Sequence, residues 1–262
     1  MMKKIVTIGD NCIDAYHDEQ KFFSGGNSVN VAVYSKRFNV NSSYVGWVGT
    51  DDYGRQIIND IKIKKVDVTH IHVKNGLTAV TNVTLDGAER VFGQSTYGVT
   101  KDFELSSNDT DFILSHDMVH GGIWGFCDQY FEQLKMKGMT TSFDFSDCWD
   151  SELLETLIPH IDYAFMSGSE DTPMLRQLMI KLHANGANIL VVTLGENGSI
   201  LFDGTEFITC NIIKVDAVDT MGAGDSYIAG FLNGIVKDKP LRECMVIGSK
   251  SAALTVQYQG AW

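Results

Sequence analysis

Asp219-Thr220-Met221-Gly222-Ala223-Gly224-Asp225 runs straight into Ser226-Tyr227-Ile228-Ala229-Gly230-Phe231-Leu232-Asn233-Gly234-Ile235. Ile228, Phe231, Leu232 and Ile235 recur at i, i+3, i+4 and i+7, the spacing of one apolar helical face. A helix of that kind packs on a sheet, and this one opens near Gly224. Gly222, Ala223 and Gly224 carry little or no side chain, so an anion can approach their N–H groups closely. The helix start adds unpaired donors and the positive end of the helix dipole. Asp225 then stands beside that anion. An acid there suits a group that takes the proton of an attacking hydroxyl while the donors stabilise a transferring phosphoryl group. The competing reading is a Gly-rich turn that Asp225 caps. A Walker A loop is excluded because no G-x-x-x-x-G-K-[ST] occurs. A dinucleotide fingerprint is excluded because Tyr227 takes the place of its third glycine.

Upstream of this stretch, strands alternate with helices. Ile5–Ile8, Tyr44–Val48, Met118–His120, Thr140–Phe143, Tyr163–Met166 and Ile189–Thr193 read as buried strands. Helices are expected at Asn27–Phe38, Tyr53–Lys65, Tyr130–Lys137, Glu152–Ile158 and Pro173–Ala184, and a last one at Leu241–Gln257. Thr172-Pro173 is a helix start and Gly186 a stop. Ser199–Phe202 and Glu206–Cys210 form a hairpin about Asp203-Gly204. Such alternation predicts an α/β fold: a doubly wound, mostly parallel sheet with helices on both faces. Ligands are expected at the carboxyl ends of its strands. The region from His70 to Phe92 differs. His70–Val73, Ala79–Leu85 and Arg90–Phe92 are β-rich around turns at Gly76 and Asp86-Gly87. They predict a small antiparallel sheet, to which Lys21–Ser24 adds a strand. The expected organisation is a single domain over 1–262 with a β lid from about 15–24 and 70–95.

Composition narrows the function. The chain has 262 residues and a net charge of −12, with no basic run to offset it. Phosphate-backbone binding needs clustered positive charge, so nucleic acid and anionic membrane surfaces are disfavoured as partners. Five scattered cysteines without a C-x-x-C fit reduced thiols in a cytoplasmic protein. The apolar run after Lys3-Lys4 is too short for a signal peptide and ends at Asp10.

Other segments offer polar groups at strand ends. Ser24-Gly25-Gly26-Asn27-Ser28-Val29-Asn30 opens a helix with two glycines and an amide one turn in, or is a plain turn and cap. Asp10, Asn11 and Asp14 follow the first strand and could bind sugar hydroxyls or make turns. Thr193-Leu194-Gly195-Glu196-Asn197-Gly198 lies along a nucleotide or turns into the hairpin. Glu170 and Asp171 could hold Mg²⁺ through water or cap the next helix. His70 and His72 share a strand face but lack a third ligand, and read as surface groups. His120 faces the cleft or the core, and Trp47, Trp124 and Trp149 read as packing rather than a base-stacking platform.

In this order the pieces resemble the ribokinase-like (PfkB) carbohydrate kinases over the whole chain. Gly25, Gly26 and Asn30 match the family's early Gly-Gly with a downstream Asn. Asp219–Asp225 matches its late Asp-Thr-x-Gly-Ala-Gly-Asp in full. The resemblance implies ATP–Mg²⁺ phosphorylation of a sugar hydroxyl, with Asp225 as base and Gly222, Ala223 and Gly224 as anion hole. It places the sugar against Asn11, Asp14, Gly25, Gly26, Asn30 and Arg90, and ATP against Thr193, Gly195, Gly198, Thr220, Gly222 and Gly224. The family's Asn-x-x-Glu appears here as Ser167-Gly168-Ser169-Glu170. The Asn is missing, and Glu170 takes the Mg²⁺ role with Asp171 as the alternative. A monovalent cation and a homodimer through the lid belong to the same expectation. Gly9-Asp10-Asn11-Cys12, Trp47-Val48-Gly49, Phe143-Asp144-Phe145-Ser146-Asp147 and Gly260-Ala261-Trp262 are similar to the bacterial members that act on fructosamines. The implied substrate is therefore a fructosamine such as fructoselysine, phosphorylated at its 6-hydroxyl. The alternatives are another sugar (fructose, ribose or 2-keto-3-deoxygluconate) and a non-catalytic sugar or nucleotide sensor, which would have no need of a base at Asp225.

Overall fold

In the computed structural model, which describes residues 3–86 and 89–262, the run Ile5–Ile8 lies in strand β1 (Lys4–Gly9). Its Ile5, Val6 and Ile8 are completely buried. A strand buried on both faces belongs at the centre of a parallel sheet. That sheet has nine strands. Six more complete its parallel part: β4 (Asn41–Gly49), β5 (Asp67–Lys74), β8 (Met118–Gly122), β9 (Thr140–Asp144), β10 (Tyr163–Ser167) and β11 (Ile189–Thr193). The hairpin of β12 (Ser199–Phe202) and β13 (Phe207–Cys210) adds an antiparallel edge. The order is β13-β12-β11-β10-β9-β8-β1-β4-β5. The chain winds outward from β1 through β4 to β5, then crosses to β8 and winds out the other way. The reversal point therefore lies between β1 and β8, where open α/β sheets leave a crevice for ligands.

Helices cover both faces, as the alternation predicts. On one lie α1 (Asn27–Ser35), α2 (Asp52–Ile63), α7 (Ala223–Val236) and α8 (Leu241–Thr255). On the other lie α3 (Ser107–Leu114), α4 (Phe131–Met136), α5 (Glu152–Leu157) and α6 (Pro173–Ala184). Their starts follow local chemistry. Thr172 accepts the Leu175 N–H at 3.1 Å ahead of Pro173, and Asp51 accepts the Gly54 N–H at 3.0 Å. Helix α3 was not anticipated from periodicity, because it is short and its apolar residues are few. Its signal is the reciprocal cap of Ser106 and Asp109.

A second sheet has four strands, in the order β3-β2-β6-β7: β2 (Cys12–Tyr16), β3 (Lys21–Gly25), β6 (Val80–Asp86) and β7 (Glu89–Thr96). It corrects the expected lid in two ways. His70–Val73 does not belong to it. Helix α2 links β4 to β5, and a strand–helix–strand crossover returns its second strand parallel in the same sheet. His70 accordingly pairs with Val45 and His72 with Trp47. Nor is the small sheet wholly antiparallel, since β2 and β6 run parallel, with Ile13 opposite Val80. The expected turn at Asp86-Gly87 falls partly outside the described residues.

Asp219 joins the two sheets. It is completely buried and accepts three hydrogen bonds: from Tyr16 Oη of β2 at 2.8 Å, from Met221 N at 2.8 Å and from Gly260 N at 2.9 Å. One carboxyl group thus fixes the small sheet, the approach to α7 and the Gly260–Trp262 segment. Replacing Asp219 with Ala leaves three buried donors without a partner, each costing about 1–3 kcal/mol. Urea unfolding of Asp219→Ala is expected to show a loss of at least about 3 kcal/mol. A loss below about 1 kcal/mol would show that the junction holds without it.

Candidate active site

Helix α7 begins at Gly222, whose φ of +71° is left-handed. A Cβ built on Gly222 would stand 2.4 Å from Tyr34 Oη, so glycine is required there by both conformation and packing. Gly224 differs: a Cβ there would meet nothing within 4 Å. Its position faces open space. Among the described residues, the N–H groups of Gly222, Gly224 and Asp225 have no backbone acceptor, whereas that of Ala223 reaches the Thr220 carbonyl at 3.2 Å. Three free donors at a helix N-terminus form a cradle for an anion.

The Asp225 carboxylate lies in the first turn of α7 and is clamped by two amides of α1. Asn27 Nδ2 donates to Oδ1 at 2.7 Å, and Asn30 Nδ2 donates to Oδ2 at 2.6 Å. Each amide is held in turn. Trp262 Nε1 donates to Asn30 Oδ1 at 2.7 Å. Asn27 Oδ1 lies 3.2 Å from His120 Nε2, and the other ring nitrogen, Nδ1, lies 2.9 Å from Ser142 Oγ. Burial drives the His120 pKa down to about 3, so the ring is neutral and can carry its proton on Nε2. Asn27 Nδ2 also donates to Asp144 Oδ2 at 2.8 Å. The reversal point of the sheet is filled by this amide: a Cβ on Gly122, at the end of β8, would come within 2.6 Å of Asn27 Oδ1.

The carboxyl groups crowd one another. Removal from water pushes Asp225 up to about 6, against the amide bonds of Asn30 and Asn27 and with Asp10 adding repulsion. Burial raises Asp144 to about 7, and the Asp225 charge adds to this. Asp14 is likewise raised to about 7, mainly by burial. Its Oδ1 takes the Cys12 thiol at 3.4 Å, while Oδ2 is buried without a hydrogen-bond partner among the described residues. Asn11 is arranged similarly. Its Nδ2 serves Tyr44 Oη and the Trp47 carbonyl, at 2.8 and 2.7 Å, and its buried Oδ1 has no partner among the described residues. Buried polar atoms left unpaired call for a ligand or water to complete them.

The remaining expected residues are placed as follows. Gly25 admits the Asp14 carboxyl, since a Cβ there would lie 2.2 Å from Asp14 Oδ2. Gly26, with φ of +107°, admits Asn11 Cα. Their small size thus serves packing of the strand-end polar groups. Arg90 reaches from β7 to the heptad, its guanidinium 3.2 Å from both Thr220 O and Oγ1, with Nε buried and without a hydrogen-bond partner among the described residues. Gly195, φ +55°, has open space at its Cβ position, whereas a Cβ on Gly198 would strike the Cys210 carbonyl at 2.2 Å. Thr193 ends β11 and its carbonyl accepts from Gly168 N at 2.8 Å. Asp171 is engaged by Arg176 at 2.8 and 2.6 Å. Glu170 is exposed and has no ion-pair partner among the described residues.

Sequence reasoning did not give roles to Asn27, Asp144, His120 or Trp262. Asn27 sat inside the quoted Gly-Gly segment. Its spacing of three from Asn30 puts both amides on one helical face, a signal that could have paired them. The other three come from distant strands and from the Gly260–Trp262 segment, and no local pattern joins them.

A profile of the pfkB family carbohydrate kinases matches residues 2–262. Fructoselysine 6-kinase of Escherichia coli K12 is 48% identical over 261 residues, covering 100% of both chains. Fructosamine kinase FrlD of Bacillus subtilis is 33% identical, with 99% of this chain and 93% of that one covered. Among solved structures, Arabidopsis thaliana ribokinase complexed with ribose and ATP superposes with a TM-score of 0.87 at 23% identity, over 99% of this chain and 94% of that one. This last likeness is one of fold. A carboxylate clamped at a glycine-lined helix start, on a ribokinase-like sheet and within a full-length family match, leads to one assignment: the chain belongs to the pfkB family of carbohydrate kinases.

Proposed function

We propose that this kinase transfers the γ-phosphate of ATP to the 6-hydroxyl of a fructosamine of the fructoselysine type. The observation that carries the reaction type is the clamped Asp225 beside three free N–H donors. The substrate class rests on the 48% identity, over both whole chains, to fructoselysine 6-kinase.

In this reading Asp225 accepts the proton of the attacking hydroxyl as the new O–P bond forms and the bond from the γ-phosphorus to its bridging oxygen breaks, with ADP as the leaving group. The amides of Asn27 and Asn30 hold its two oxygens fixed, so that little reorganisation accompanies the transfer. The N–H groups of Gly222, Gly224 and Asp225 stabilise charge on the transferring phosphoryl oxygens. Ala223 adds its donor once the bond to Thr220 is exchanged for one to the anion. Asp14 Oδ2 and Asn11 Oδ1, both unpaired and buried, accept hydrogen bonds from sugar hydroxyls. Arg90, held on Thr220, links the small sheet to the phosphate cradle and can meet the carboxylate of the substrate's amino-acid arm. Ile212, Ile213, Val215 and Val218 are exposed just before the heptad and offer apolar surface to the nucleotide's base, with Thr193 and Gly195 alongside. Mg²⁺ bound with ATP would neutralise phosphate charge. Glu170, free where Asp171 is engaged by Arg176, fits the water-mediated holding of that ion. Two chains pairing through the small sheet, where Val91 and Phe92 are exposed, complete the reading.

Asp225→Ala is expected to lower kcat by about 10²–10⁴-fold with nucleotide affinity preserved. Steady-state kinetics with a nucleotide titration check this, and a kcat above about a tenth of wild type would remove the base role. Because Asp225 is raised to about 6 and must be ionised to accept a proton, kcat/KM should fall as the pH drops through that region. Asp225→Ala should lose the component near 6, while any that Asp14 and Asp144, raised to about 7, contribute stays.

Gly224→Ala separates cradle from fold. The added methyl meets open space within the protein and removes a helix-weakening glycine, so the thermal midpoint should hold or rise. It intrudes where the phosphate lies, and kcat/KM for ATP should drop by about 10–100-fold. Undiminished kcat/KM would mean that the anion sits elsewhere.

The substrate class is tested by comparing kcat/KM for fructoselysine, fructose, ribose and 2-keto-3-deoxygluconate under one set of conditions, with the product's phosphate position read by NMR. Fructoselysine should lead clearly, because a site built to bond a substrate group rejects analogues lacking it. Equal or better rates with fructose or ribose would overturn the fructosamine assignment and leave the kinase reading in place.

A further inference from the structure

On the face of the sheet opposite α7, His70 and His72 were expected to be surface groups without a third ligand, and the structure supplies one. Residues two apart on a strand share a face, and here both imidazoles converge on Asp109 in the first turn of α3. His70 Nδ1 lies 2.7 Å and His72 Nε2 2.9 Å from Asp109 Oδ1. The three donor atoms all lie within 4.8 Å of one another. We propose that His70, His72 and Asp109 bind one divalent transition-metal cation of the Zn²⁺ class, separate from the kinase site.

The surroundings are those of a built site. Asp109 Oδ2 is held by Ser106 N at 2.9 Å and Ser106 Oγ at 2.6 Å, which leaves Oδ1 aimed as a single-oxygen ligand. The His70 ring is stacked on Phe112, with centroids 3.9 Å apart. Asp109 is 1% exposed and His72 36% exposed, so the cluster opens to solvent on one side and water can take a fourth position. Two imidazoles, a carboxylate and an open place suit Zn²⁺, whereas Mg²⁺ prefers oxygen ligands. Tetrahedral ligands at about 2.0–2.1 Å stand about 3.3 Å apart, so the histidines part by about half an ångström. The ligating nitrogen of each imidazole must be free of its proton, which the other ring nitrogen can carry.

The test uses chelator-stripped full-length protein without nucleotide or Mg²⁺. Titration calorimetry should show one saturable equivalent of Zn²⁺. Co²⁺ should give intense visible bands of low coordination number. Zn²⁺, but not Mg²⁺, should raise the thermal midpoint in a concentration-dependent way. His72→Gln should lose the bands and the shift and keep wild-type kinase turnover in Zn²⁺-free buffer. A wild-type measurement makes the test independent of that variant's folding: ¹⁵N NMR of the histidine rings should show Zn²⁺ perturbing His70 and His72. Absence of saturable Zn²⁺ binding, unchanged binding by His72→Gln, or perturbation confined to other histidines would overturn the site.

Discussion

One carboxylate from α7 gripped by two amides from α1 is the contact on which the site depends. Asp225 stands in the first turn of α7, yet the side-chain bonds to both of its oxygens come from α1. The amides do two things at once. They fix both oxygens, and they favour the ionised form against the desolvation and the neighbouring acids that raise its pKa. The outcome is a base that is charged at neutral pH yet more proton-accepting than a solvated carboxylate. The bonds behind the amides matter as much. Neutral His120 and the Trp262 indole occupy the two amide oxygens, so both nitrogens must point at acids. Asn27 serves Asp144 as well, which couples the ends of β8 and β9 to the base.

The frame around this contact explains why the glycines are where they are. Gly222 yields to Tyr34 and Gly25 to Asp14, so two glycines that read as ligand-facing are first of all clearances for polar side chains, as Gly122 is for Asn27. Gly224 and Gly195, by contrast, have only open space at their Cβ positions. Sequence alone cannot separate the two kinds, because both appear as a missing side chain in a loop before a helix.

Legibility followed the range of the interactions. The winding of the large sheet was readable from apolar runs alternating with amphipathic segments, and the start of α7 from a short local motif. Strand β5 was misplaced because its composition resembles that of the small sheet, while its partner is decided by the helical crossover from β4. Strand β2 is not legible because Asp10, Asn11 and Asp14, which read as sugar-binding or turn-making groups, dominate its neighbourhood, yet Ile13 and Ala15 are completely buried. Asn30 was visible as one amide near two glycines. That Asn27 shares its work, and that Asp219 is a junction between sheets, depends on groups brought together from opposite parts of the chain.

The bond from Trp262 to Asn30 spans 232 positions of sequence. Contacts of such separation carry a loop-closure cost that local structure cannot offset, so they form once most of the fold is in place. Helix α1 can present its two amides early, but the indole that sets the sense of one of them arrives with the docking of the Gly260–Trp262 segment on Asp219. Chemical competence is in this sense a late property of the chain: secondary structure can be complete while the base is still unaligned. The alignment of the base therefore rests on the docking of the Gly260–Trp262 segment.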